Sequence, residues 1–119
     1  MKIFISLPMN GRSDEAIEKE ISLTSDYLRA QYPGCEILHT FFTDDDFKPE
    51  GGNIGMKYLG RSIQVMADAD LVFFAEGWIT ARGCRMEYLI AREYGKRIET
   101  IDENRGLAVI GWNKDHFLM

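Results

Sequence analysis

The residue best placed to do chemistry is Glu87, in the segment GWITARGCRMEYLIA at residues 77–91. It follows an apolar run and stands early in a helical pattern, with Gly83 and Cys84 one turn before it and Ile90 and Ala91 one turn after it. Two readings of that carboxylate are open. It is either an acid that complements a helix N-terminus, as early-helix acids routinely do, or a catalytic carboxylate bordered by small and apolar side chains. Burial among such neighbours would raise its pKa, whereas the helix start, Arg82 and Arg85 would lower it.

Other candidates cluster nearby in sequence. Glu76 stands at the end of an apolar run, either as a second functional carboxylate or as a solvated loop charge. Trp78 follows Gly77 and offers either a face for a base to stack on or a plug beneath the loop. Arg82, at the expected helix start, suits a phosphate through bidentate donation added to the helix dipole, and equally suits a surface. Met9, Asn10 and Gly11 form a turn whose backbone amides would approach a sugar or phosphate, or an ordinary turn. Cys84 at a helix start has the position of an activated thiol, but neither His39 nor His116 is placed by motif to serve it. Asp44, Asp45 and Asp46 read as a solvated acidic turn, since no spaced oxygen-ligand pattern continues from them. No metal site and no cofactor fingerprint is expected, and no Gly-x-Gly-x-x-Gly occurs.

Elements that alternate in type must position these groups. Lys2 to Leu7 reads as a short buried strand ended by Pro8. Ser13, Asp14 and Glu15 open a helix that carries Ile17, Ile21, Thr24 and Leu28 on one stripe and stops at Pro33-Gly34. Cys35 to Thr40 reads as a second strand and Thr43 to Gly55 as a long loop of the kind that binds or covers a site. Leu59, Ile63 and Met66 mark a second helix, Asp70 to Ala75 a strand buried on both faces, and Arg82 to Tyr94 a third helix closed by Gly95. Arg97 to Ile101 is expected as a fourth strand and Leu107 to Ile110 as a fifth. The alternation predicts one α/β domain over residues 1–119, a three-layer, doubly wound sandwich on a parallel sheet of four to five strands, flavodoxin- or Rossmann-like. In such sheets ligands lie beyond the carboxyl ends of the strands, which brings the loops at residues 8–12 and 76–82 together.

Composition narrows the partners. With 119 residues, 45% of them hydrophobic, the chain is long enough for a real core and too short for two ordinary ones. A net charge of −5 with scattered basic residues argues against a nucleic-acid polymer as partner. Cys35 and Cys84 read as free thiols, the first residues do not form a signal peptide, and no run is long enough to span a membrane. A cytoplasmic protein without membrane partners is the expectation.

The ordered set SLPMNG (6–11), ADADLVFF (67–74), Gly77-Trp78, RGCRMEY (82–88) and AREYGK (91–96) resembles the nucleoside 2-deoxyribosyltransferase superfamily, and more closely its small phage-associated and bacterial branch known as DUF4406. The resemblance spans nearly the whole chain. It implies that Glu87, with Gly83 as the glycine of a Gly-x-x-x-Glu segment, attacks C1′ of a 2′-deoxynucleoside or its 5′-monophosphate and forms a glycosyl ester. Water or a second base would resolve the ester, giving hydrolysis or transfer. Ser6, Pro8, Met9, Asn10, Gly11, Glu76, Gly77, Trp78, Arg82 and Gly83 would then line the substrate, and the apolar tail Gly111 to Met119 would serve a homo-oligomer. Ala81 departs from the pattern, because the transferases carry an aspartate there. A non-catalytic nucleotide-binding module of the same fold is the rival expectation.

Overall fold

The computed structural model describes residues 1–39, 41 and 48–101. Strand β1 (Lys2–Ser6) leads to helix α1 (Asp14–Gln31), then strand β2 (Glu36–Ile37) and helix α2 (Ile54–Met66). Strand β3 (Leu71–Phe74) is followed by a 3-10 turn (Trp78–Thr80), helix α3 (Arg82–Glu93) and strand β4 (Arg97–Thr100). All pairings are parallel and the strand order is β2-β1-β3-β4, so the order reverses between β1 and β3. This is the expected α/β architecture, a four-stranded parallel sheet between helical layers.

Alternation along the strands divides the core. Ile3, Ile5 and Leu7 of the first strand and its exit join Leu71, Phe73 and Ala75 beneath α1, where Ile17 and Leu28 meet them. The intervening Phe4, Val72 and Phe74 face the other way, toward Met66 of α2 and Cys84, Tyr88 and Ala91 of α3. Both faces of β1 and β3 are covered, which is why those strands read as continuous apolar runs rather than as alternating ones. Burial of each large side chain contributes roughly 1.5–3 kcal/mol.

Local signals set the helix ends. Ser13 Oγ accepts from the Ala16 amide at 3.1 Å and caps α1, whose first turn carries Asp14 and Glu15. The Asn53 side chain accepts from the Met56 amide and starts α2 at Ile54, so Gly55 belongs to a helix and not to the expected loop. At the far end of α2, Lys96 Nζ donates to the carbonyls of Ala67 and Ala69 at 2.8 and 2.7 Å. Helix α3 has no side-chain cap, because Ala81 stands at its N-cap.

Two boundaries differ from expectation. The second strand is two residues long instead of running from Cys35 to Thr40, because only Glu36 and Ile37 pair with β1, and Thr40 lies outside the described residues. Asp70 does not extend β3; its carboxylate accepts from the Lys2 amide at 2.7 Å while its own amide donates to the Lys2 carbonyl. The loop after β3 holds Trp78 in the 3-10 turn. The expected fifth strand at Leu107–Ile110, the acidic turn at Asp44–Asp46, His116 and the tail from Gly111 lie outside the described residues. No described helix is long and apolar enough to cross a membrane.

Candidate active site

Ser6 is the last residue of β1 and has the same face as Phe4, so its side chain points beneath α3. Glu87 is the sixth residue of α3 and only 7% exposed, with Tyr88 and Cys84 buried beside it. The Ser6 hydroxyl donates to Glu87 Oε1 at 2.7 Å in a fully buried hydrogen bond. Glu87 is therefore more than a turn into the helix and turned inward, which removes the helix-start reading of its charge.

The balance of forces on that carboxyl is now visible. Burial is the largest influence and pushes its pKa from the ordinary 4.5 up to about 7. The hydrogen bond from Ser6 opposes the rise by stabilising the charged form, and Ser62 of α2 acts in the same direction. Arg82 and Arg85, expected to supply that opposition, do not act on it. Arg85 is engaged instead with the Ile79 carbonyl at 3.1 Å.

Cys84 lies one turn before Glu87 and beside the same serine. Burial, the dominant cause, pushes its thiol up to about 12, with the nearby Glu87 adding to the rise. A hydroxyl has one proton. Ser6 gives its proton to Glu87, so toward Cys84 it can only accept from the thiol. The arrangement keeps Cys84 protonated and leaves it a poor nucleophile at neutral pH.

The two expected loops do meet at the switch in strand order. Gly77 adopts φ +82°, a left-handed conformation that favours glycine, and a Cβ there would lie 3.5 Å from Pro8 Cγ. Asn10 and Gly11 form an exposed turn closed by the Arg12 amide donating to Met9 O at 3.2 Å, with Gly11 at φ +76°. Met9 is half-buried against the core beneath α1. Arg82 and Gly83 are exposed in the first turn of α3, and a Cβ at Gly83 would meet nothing within 4 Å.

Other candidates are placed elsewhere. Glu76 is exposed and lines an open cleft of about 510 Å³ on the α1 side, with Leu23, Thr24 and Ile101. In that cleft Arg12 is paired with Glu20 at 2.5 Å and also donates to the Pro8 carbonyl. The Trp78 ring stacks on Tyr88 at 4.9 Å and packs against Phe74 at 5.1 Å, so its aromatic faces serve the core beneath α3. Among the described residues no cluster of His, Cys, Asp or Glu could hold a metal ion.

Sequence reasoning overlooked Ser62 altogether and read Ser6 only as a substrate contact. A signal existed for each. Ser62 falls between Leu59 and Met66 on the inward stripe of an apolar helix, and Ser6 ends an otherwise apolar buried strand.

Comparison with known proteins adds one result. No curated protein and no solved structure matches the chain. A family model matches residues 1–100, which covers β1 to β4, and the chain belongs to the family described as a domain of unknown function, DUF4406.

Proposed function

We propose that the protein is an N-glycosidic-bond enzyme that acts on 2′-deoxynucleosides or deoxynucleoside 5′-monophosphates through Glu87. The observation that carries this reading is a buried carboxyl, hydrogen-bonded by Ser6 at the carboxyl end of β1, next to the switch in strand order. The resemblance of the Gly83-to-Glu87 segment to the nucleophile segment of the deoxyribosyltransferases supports it.

In this reaction a Glu87 carboxylate oxygen forms a bond to C1′ as the bond from C1′ to the base nitrogen breaks. The electron pair leaves with the base, which takes its proton from water. Ala81 stands where the transferases carry an aspartate, and Glu76 faces the cleft over α1, so neither is assigned as the acid. Water or a second base then attacks C1′, the ester bond breaks, and the carboxylate is regenerated. The nucleophile is the ionised form, so activity rises with pH as Glu87 loses its proton near pH 7.

The 5′ end of the substrate falls to the exposed first turn of α3. That turn has no side-chain cap, which leaves its amides available, and Arg82 adds a cation beside them. A 5′-monophosphate is the favoured substrate on that account.

A second reading, a nucleotide-binding module without turnover, is favoured by Ala81 and by the small exposure of Glu87. Prolonged incubation with each 2′-deoxynucleoside and its 5′-monophosphate, with and without a second base, separates the two by chromatography of the free base. Release or exchange that is lost in Glu87→Ala supports the enzyme. A folded wild-type protein that releases no base from any of them overturns it in favour of the binding module.

A further inference from the structure

Helix α1 seats Ile17 and Leu28 over β1 and β3, and among the described residues it is the one helix on that face, since α2 and α3 pack on the other. Strand β4 lies beyond β3 at the edge of the sheet. Its alternation sends Ile98 toward α3, whereas Glu99 meets Tyr32 at the end of α1 and Ile101 lines the cleft beside Leu23 and Thr24. The flank of α1 next to β4 is accordingly apolar and partly bare. Leu23 is 61% exposed, Tyr27 47% and Ile101 52%, and the two helix residues stand one turn apart. Tyr27 leans on Phe73, with ring centres 5.9 Å apart, so this row continues the core outward instead of standing clear of it.

What can cover the row starts at its own edge. The Ile101 amide donates to the Phe74 carbonyl at 3.2 Å, which pins the chain to the sheet up to the wall of the cleft. The next five residues, DENRG at 102–106, are polar and end in glycine, and the four after them, LAVI at 107–110, are apolar. The steps from Ile101 to Leu107 reach up to about 20 Å, more than the roughly 10–12 Å breadth of a helix, so the apolar stretch can be carried back over the flank. Four extended residues span about 13 Å, ample for the turn of helix between Leu23 and Tyr27. The rim of the cleft is acidic, with Glu76 and with Glu20, which Arg12 already neutralises, and Arg105 in the connection has the opposite sign.

We propose that residues 107–110 of the same chain dock on the flank of α1, over Leu23, Tyr27 and Ile101, and close the cleft at the carboxyl ends of β3 and β4. Apolar surface leaves water on both sides of such a contact, and the short connection keeps the segment at a high effective concentration. Arg12 and Glu76 line the same cleft, so the docked segment becomes a wall beside the two loops that meet at the switch in strand order. Ile101 and the apolar stretch both lie beyond the family match at residues 1–100, so the contact is additional to what the family model describes. The proposal does not depend on the reading of Glu87.

The test uses the full chain with labelled leucine, valine and isoleucine methyls. Nuclear Overhauser contacts are expected from the Leu23 and Ile101 methyls to those of Leu107, Val109 and Ile110. They should be absent from the isotope-filtered spectrum of mixed labelled and unlabelled protein, which reports contacts between copies. Amide exchange at 107–110 should be slower than in an open chain by about tenfold or more. Leu23→Asp is expected to abolish the contacts and to return that exchange to the open-chain rate, while the amides of β1 and β3 keep theirs. Ile110→Asp leaves every described residue unchanged and carries the same test if Leu23→Asp does not fold, with displaced Leu23 methyl resonances as its expected result. Absence of any contact between Leu23 and residues 107–110 in wild type overturns the proposal. So do contacts found only between copies, which would make the flank a dimer face, and contacts of residues 107–110 with the edge of β4 but not with Leu23, which would make them a fifth strand.

Discussion

The two faces of the sheet are built from alternate residues of the same strands and differ in what they bury. Beneath α1 the strands present Ile3, Ile5, Leu71 and Phe73 to Ile17 and Leu28, and Ser25 on the helix is the buried polar residue of that side. Beneath α2 and α3 the corresponding layer holds an aromatic trio, Phe74, Trp78 and Tyr88, together with Ser6 and Glu87. One helix closes a face with apolar residues and the small hydroxyl of Ser25. Two helices leave a seam, and the seam is where a buried carboxyl is met by a hydroxyl instead of by a charge.

Removal of the carboxyl should have the largest effect on that contrast. Glu87→Ala is expected to lower base release by about three orders of magnitude or more, as for other nucleophile deletions, with unchanged circular dichroism. A loss of only a few-fold would mean that the polar face does not carry the reaction.

Adjacent phenylalanines test whether the faces are independent. Phe73→Ala and Phe74→Ala should each cost about 3–5 kcal/mol in denaturant unfolding, since both side chains are fully buried. Only Phe74→Ala, which disrupts the ring contacts with Trp78 and Tyr88, should displace the Glu87 titration. Equal displacement by Phe73→Ala would merge the two faces into one cooperative core.

The pH dependence of stability sharpens the same contrast. The folded protein binds a proton at Glu87 more tightly than the unfolded chain does, because its pKa is raised from 4.5 to about 7. Wild type therefore loses stability as pH rises through that window, and the loss is complete above about pH 7. Glu87→Gln has no such titration. Relative to wild type it should gain on the order of 3 kcal/mol by pH 8 and nothing from this source below the unfolded pKa. Thermal melts across the window would show the gain, and a difference between the two proteins that did not change with pH would contradict the raised pKa.

The smallest effects come from the caps. Ser13→Ala and Asn53→Ala each remove an N-cap hydrogen bond and should cost about 1 kcal/mol. Equal in stability, they should differ at the site. Asn53→Ala loosens the helix that carries Ser62 and should shift the Glu87 midpoint slightly, while Ser13→Ala, on the other layer, should not.

Much of this arrangement was legible in the residues, for reasons that are local. The apolar runs of β1 and β3, the Ser13 cap and the Pro33-Gly34 stop are signals within a few positions, and each led to an element where expected. The small and apolar helical neighbours of Glu87 left burial and a helix-start role both open, and the side chain is buried. What escaped depends on contacts between distant segments. The Ser6 and Glu87 side chains meet across 81 positions, and no spacing rule connects them. Ser62 looked like one polar residue in a helix until α2 was laid beside α3. Trp78 after Gly77 read equally as a stacking face or as a plug beneath the loop; the 3-10 turn folds its ring onto Tyr88, and a pairing of that kind is settled by packing. At α2 the Asn53 cap was a readable signal obscured by the two glycines before it.

The exchange between Lys2 and Asp70 has a consequence at the opposite end of the sheet. These residues clasp the starts of β1 and β3, with one amide donating to a carboxylate and the other to a carbonyl, and so fix which residues stand side by side. Side chains alternate along a strand, so a slip of one position would turn Ser6 toward α1 and bring its neighbour Leu7 up against Glu87. The chain must close this long-range pairing, across 68 positions, before the carboxyl has its partner. Asp70 thus shares one register with the ladder that follows it, a residue remote from the seam whose alignment is the same one that gives the seam a hydroxyl and not a hydrocarbon.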